Sequence, residues 1–180
     1  MSIFNDKHLL IYDDCEFMGR SLHCILSAFE IGQLTICNNW KDAEYYIKKI
    51  NYDCIISDWS GWPDPELKCL EYVRYSGKAN DPSTPVVLCT GKTTLSDVVE
   101  SRDKGCTEII SKPISPSHVF DKIYAAIYKP RKFVVLENFT GPDRRRVLYE
   151  RYTGLERRSD VALGPSHIDR LLAGENVETS

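Results

Sequence analysis

YDCIISD, residues 52–58, is the stretch on which the fold turns. Cys54, Ile55 and Ile56 form a short apolar run without polar alternation, and the run ends at a carboxylate, Asp58. A continuous run of this length reads as a strand buried on both faces, the pattern of a parallel sheet. The same arrangement recurs on either side. HLLIY (8–12) is followed by Asp13 and Asp14, PVVLC (85–89) by Thr90, and TEIIS (107–111) by Lys112, while LTIC (34–37) supplies a further strand.

Helical spacing fills the intervals. Phe17, Met18, Leu22, Ile25, Leu26 and Phe29 mark a helix ending before Gly32. Asn39 caps a second, from about Trp40 to Ile50, with Ala43, Tyr46, Ile47 and Ile50 on one face. Leu67, Leu70 and Val73 mark a third, and Leu95, Val98 and Val99 a short fourth stopped by Gly105. Ser115, with Pro116 at the first helical position, opens a fifth carrying Val119, Phe120, Ile123 and Ile127. Five strand–helix units predict an α/β fold: a flavodoxin-like, doubly wound, five-stranded parallel sheet in the order 2-1-3-4-5 with helices on both faces. Ligands of such sheets gather at the carboxyl ends of the strands, so Asp13, Asp14, Asp58, Thr90 and Lys112 are expected at one edge.

The pattern changes after Lys129-Pro130. Residues 1–128 are read as one domain and 129–180 as a C-terminal extension, an arm plus a short helix with no independent fold. RKFVVLENF is read as one strand or an extended arm, and SHIDRLLAGE as a helix capped by Ser166. The body carries 13 Lys and Arg against 18 Asp and Glu, the extension 10 against 8, so an acidic body meets a basic extension. The extension is expected to pack on this domain, on a second copy or on a partner.

Seven cysteines without a C-x-x-C pair argue against a disulfide framework or a zinc site, and favour a reducing cytoplasm. No signal peptide opens the chain, and no apolar run approaches the ~18 residues that span a bilayer, so no membrane association is expected. The four histidines show no ligand spacing. The run Arg144-Arg145-Arg146 reads as a solvated or salt-bridged surface, a contact to the acidic body, or least readily a nucleic-acid contact, since neither aromatic interleaving nor a groove-reading helix accompanies it.

Three carboxylates, a hydroxyl and an ammonium at one edge suit a divalent cation and a phosphoryl group. Mg2+ prefers oxygen ligands and keeps several waters, so two or three carboxylates and a phosphate oxygen satisfy it. One carboxylate can attack phosphorus. Asp58, at the end of the central strand, is the best candidate. Lys112 would neutralise charge on the transferred group, and the Thr90 hydroxyl would hydrogen-bond one of its oxygens.

The set Asp13-Asp14, Asp58, Thr90-Gly91 and Lys112-Pro113 resembles the receiver domain of two-component response regulators, over residues 6 to about 128. The resemblance implies that Asp58 is the phosphoacceptor. It also implies that Asp13, Asp14, Asp58 and the backbone carbonyl of Ser60 hold Mg2+ (or Mn2+), that Thr90 is the switch hydroxyl, and that Lys112, before an often cis proline, bridges to phosphate. It implies a cytoplasmic bacterial protein that takes its phosphoryl group from a histidine kinase or phosphotransfer protein. Such a protein signals to an unknown downstream protein, with a homodimer possible through the receiver face or the tail. Ile109 stands where the family usually has an aromatic residue, and Pro63 follows Asp58 by five residues rather than four. Ser60 and Lys92 hold positions that tune phosphoryl lifetime in the family. FVVLENFTGPDRRR (133–146) and GLERR (154–158) resemble an extension of some stand-alone alphaproteobacterial receivers.

Two other readings compete. A non-phosphorylated, receiver-like assembly module would use the same fold. A phosphatase with an Asp nucleophile would resemble D-x-D-x-T, but Ser60 stands two residues after Asp58. No turnover of external substrates is therefore expected, only transfer to Asp58 and its autodephosphorylation.

Overall fold

The computed structural model describes residues 2–59 and 67–144. The chain alternates β1 (His8–Tyr12), α1 (Glu16–Ala28), β2 (Gln33–Cys37), α2 (Trp40–Lys49), β3 (Cys54–Trp59), α3 (Lys68–Tyr75), β4 (Val86–Thr90), α4 (Leu95–Asp103), β5 (Glu108–Ser111) and α5 (Pro116–Tyr128). It closes with β6 (Phe133–Leu136) and β7 (Phe139–Pro142). The first five strands form one parallel sheet in the order β2-β1-β3-β4-β5, as expected from the sequence.

The inner strands β1, β3 and β4 are buried on both faces, which explains their near-continuous apolar runs. Leu10, Ile55, Val86 and Leu88 point to one side and meet Ala43 and Ile47 of α2 and Cys69, Leu70 and Val73 of α3. Leu9, Ile11, Ile56, Val87, Cys89 and Ile110 point to the other and meet Leu22 and Leu26 of α1 and Val119, Ile123 and Ala126 of α5. Each fully buried aliphatic side chain contributes about 1.5–3 kcal/mol, so the two layers outweigh any local feature of the sheet.

The helix caps behave as the sequence predicts. Asn39 accepts from the Asp42 amide at 3.0 Å, and Ser115 from the His118 amide at 3.4 Å. Thr94 and Asp97 form a capping box on α4. Two apolar stripes differ from expectation. Phe17, placed on the α1 stripe, is 75% exposed. On α4, Leu95 is 81% exposed, Val99 is also exposed, and Ser101 is the one buried residue.

The start of the extension also differs. RKFVVLENF is neither a single strand nor a loose arm: β6 and β7 pair antiparallel across Glu137-Asn138. An isolated hairpin is marginal in water, and this one is docked on the sheet's partners. Tyr75 Oη accepts from the Thr140 amide at 3.3 Å, and Arg131 donates to the carbonyls of Asp143 (2.8 Å) and Thr107 (2.6 Å). The expected helix opened by Ser166 lies outside the described residues.

Arg74 of α3 is central to that docking. Its guanidinium is buried, 4% exposed, and no carboxylate hydrogen-bonds it among the described residues. It donates to the carbonyls of Gly105 (3.0 Å), Pro82 (2.6 Å) and Thr84 (2.8 Å) and lies over the Phe133 ring at 5.4 Å. Burial pulls its pKa down to about 10, which still leaves it charged at neutral pH. One side chain thus joins α3, the loop before β4, the α4–β5 turn and β6.

Candidate functional site

The register of the parallel sheet gathers the polar strand ends. Tyr12 pairs with Ser57, Ser57 with Leu88, Asp58 with Cys89, Trp59 with Thr90, and Thr90 with Ser111. The strands therefore finish level. Asp13 and Asp14 follow β1 directly, Asp58 is the next-to-last residue of β3, Thr90 ends β4, and Lys112 follows β5. The sequence places Asp58 just after its strand, but the ladder continues to Trp59, so the carboxylate projects from the strand itself.

Carboxylate oxygens of Asp13, Asp14 and Asp58 lie within 4.8 Å of one another. Asp13 is 1% and Asp58 5% exposed, whereas Asp14 faces solvent. Lys112 Nζ hydrogen-bonds Asp58 Oδ1 and stands 3.8 Å from Asp13 Oδ2. The Lys112–Pro113 peptide bond is cis. Asp13 Oδ1 accepts from the Cys15 amide at 2.9 Å, while Asp13 Oδ2 is buried with no hydrogen-bond partner among the described residues. Thr90 Oγ1 donates to the Trp59 carbonyl at 2.5 Å and accepts from the Lys92 amide at 2.9 Å.

The electrostatics follow from crowding. Burial first, then the Asp58 charge, pushes the Asp13 carboxyl up to about 6, against the Cys15 amide and Lys112, which favour its ionised form. Burial acts to lower the Lys112 ammonium, but the hydrogen bond and charge of Asp58 and the charge of Asp13 outweigh it, and its pKa lies above the ordinary lysine value. A divalent cation fits these residues. Among the described residues the buried Asp13 Oδ2 has no hydrogen-bond donor, and the gathered ligand atoms are all carboxylate oxygens, which suit Mg2+ or Mn2+.

A stability prediction follows from Asp13. A carboxyl whose pKa is raised on folding binds more protons folded than unfolded, so stability falls as pH rises from about 4 through about 6. A shift of that size corresponds to about 3 kcal/mol at most. In EDTA at pH 7, Asp13→Asn should be about 1–3 kcal/mol more stable than wild type, and the gap should close near pH 4. Urea melts at both pH values check this.

The structure brings together the ionisable residues that the sequence places at the strand ends, but their backbone partners were not legible in the sequence. The Cys15 amide on Asp13 and the Trp59 carbonyl on Thr90 carry no signal in residue type. Trp59 itself is buried, with the Lys92 ammonium 5.0 Å above its ring. Cys89 lies beneath the site, its thiol pushed up to about 12 by burial. Ser60 and Pro63 lie outside the described residues.

A doubly wound sheet with an acidic cluster, a hydroxyl and a lysine at its carboxyl edge defines a receiver, and the comparisons agree. The profile of the response regulator receiver domain matches residues 9–124, and the chain belongs to that family. Among curated relatives it is 27% identical over 120 residues to the chemotaxis protein CheY of Thermotoga maritima, covering 65% of this chain and 94% of that one. It is 29% identical over 120 residues to the uncharacterised transcriptional regulatory protein YkoG of Bacillus subtilis, covering 67% of this chain but only half of that relative. The fold is shared with the receiver domain of the Francisella response regulator 1452 (TM-score 0.60, 20% identity, 68% of this chain and 98% of that one). It is shared equally with chemotaxis protein CheY4 of Vibrio cholerae (TM-score 0.59, 20% identity, 67% and 98%). Among the described residues, no helix is long and apolar enough to cross a membrane.

Proposed function

We propose that Asp58 accepts a phosphoryl group from a histidine kinase or phosphotransfer protein, and that the phosphorylated chain signals by binding another protein. The observation that carries this reading is the contact of Lys112 Nζ with Asp58, inside a cluster completed by Asp13 and Asp14. In transfer, an Asp58 carboxylate oxygen bonds to phosphorus as the bond from phosphorus to the donor breaks. The electron pair leaves with the donor: acetate from acetyl phosphate, or a histidine imidazole nitrogen. Hydrolysis by water later restores the carboxylate and releases phosphate.

Asp13, Asp14 and Asp58 would hold the cation, with the Ser60 carbonyl as a further ligand. Bound there, Mg2+ offsets the negative charge of the carboxylates and of the phosphoryl oxygens. Lys112 supplies a fixed positive charge against the developing charge on the transferred group. Thr90 then has a choice of acceptor. Its hydroxyl donates to the Trp59 carbonyl, and an anionic phosphoryl oxygen on the neighbouring strand is the stronger acceptor. Moving the hydroxyl draws on the Lys92 amide and hence on the loop leading to α4. The switch is a local charge acting on an element with two arrangements.

Incubation with acetyl phosphate tests the reading. With Mg2+ the intact mass should rise by about 80 Da, and EDTA should prevent it. An unchanged mass with millimolar Mg2+ and a large excess of donor would remove the phosphoacceptor reading and favour a receiver used only for assembly.

A further inference from the structure

The hairpin after α5 makes contacts that phosphoryl transfer does not require, and besides those to α3 and β5 a group of them gathers at the end of α4. Arg102 donates to the Arg144 carbonyl at 2.5 Å, and the Arg144 guanidinium pairs with Asp103 at 2.6 Å while lying over the Phe139 ring at 4.7 Å. Gly105, with φ +90°, sits against Gly141. A Cβ on Gly105 would fall 2.3 Å from the Thr140 carbonyl oxygen, and one on Gly141 would fall 2.5 Å from the Gly105 Cα. The two backbones touch with no side chain between them. Arg102 and Asp103 end α4, and Gly105 follows it by two residues.

Among the described residues, α4 has little else to hold it. None of its apolar side chains enters either core layer, and Leu95 and Val99 face solvent. Its other end begins five residues after Thr90, across a loop whose Lys92 amide donates to the Thr90 hydroxyl. α4 is thus a rod about 13 Å long, tied to the acceptor site at its start and to the hairpin at its end.

We propose that the β6–β7 hairpin, with the Arg144 that follows it, is a clasp on α4 that couples the acceptor site to this start of the C-terminal extension. The coupling rests on the Asp58–Thr90 reading above; the clasp itself does not. When Thr90 changes acceptor, the start of α4 shifts and its far end works against the Arg144 contacts. Reciprocally, a partner that draws the extension away frees α4 and eases phosphorylation, because coupling between two sites acts in both directions.

Hydrogen exchange on the full chain tests this, following residues 95–104 and 133–144 with Mg2+ alone and with Mg2+ plus beryllofluoride. Wild type is compared with Arg144→Ala and with the charge swap Asp103→Arg/Arg144→Asp. Without beryllofluoride, Arg144→Ala should exchange roughly two- to fivefold faster in both segments, the size expected for a partly exposed ion pair, and the swap should restore protection. Arg144→Ala should also take label from acetyl phosphate faster by a similar factor. In wild type, beryllofluoride should raise exchange in both segments together. Unchanged α4 exchange in Arg144→Ala would overturn the clasp, and a beryllofluoride response confined to α4 would overturn the coupling. Absence of any labelling or beryllofluoride response would instead defeat the phosphoacceptor reading, and the comparison without beryllofluoride would still decide the clasp.

Discussion

Asp58→Asn should abolish labelling by acetyl phosphate: with Mg2+ the wild-type mass rises by about 80 Da, and the variant mass stays unchanged. An amide oxygen is a poor nucleophile beside a carboxylate, and an amide weakens the hold on a dication. The loss should not reflect unfolding. Asn has the shape of Asp, Lys112 can still donate to its carbonyl oxygen, and removing one of three crowded carboxylates relieves the repulsion that raises Asp13. Thermal melts in EDTA should therefore show Asp58→Asn at least as stable as wild type. Persistent labelling of a well-folded Asp58→Asn protein would move the acceptor to another residue.

Arg74→Met should cost about 3–5 kcal/mol of stability, a large effect for a residue outside the site. The substitution keeps much of the aliphatic stem but leaves the buried Gly105 and Thr84 carbonyls and the half-buried Pro82 carbonyl short of a donor. It also removes the cation over Phe133, on which β6 rests. Arg74→Lys should recover only part of the loss, because an ammonium on a flexible stem cannot reproduce a planar fork aimed at carbonyls in different directions. Urea midpoints for the three proteins check the order. If Arg74→Met melts within about 0.5 kcal/mol of wild type, the guanidinium is not the tie described here.

Arg74 also shows where sequence reading stops. In α3 it looks like a charged residue on a solvated helix face, and only the tertiary structure supplies three carbonyls that turn it inward. The inner sheet strands were legible because burial on both faces leaves short apolar runs that end abruptly. The same abruptness flagged Asp13, Asp14, Asp58, Thr90 and Lys112 as strand-end groups. Helical stripes were less informative. Phe17, Leu95 and Val99 have core-like spacing, but spacing reports a shared face and not whether anything covers it. The hairpin was missed because Glu137-Asn138 lacks the glycine that marks most two-residue turns, and because its docking depends on Gly105 and Gly141, distant in sequence.

The chemical account of the site rests on Asp58, and its most direct test is to locate the modification. Wild-type protein labelled with acetyl phosphate and Mg2+ is reduced with borohydride, which converts an acyl phosphate on aspartate to homoserine, and is then digested and sequenced by mass spectrometry. The account predicts homoserine at residue 58 and at neither Asp13 nor Asp14. Homoserine at another position, or an intact aspartate at 58 in protein that carries the added mass, would contradict it.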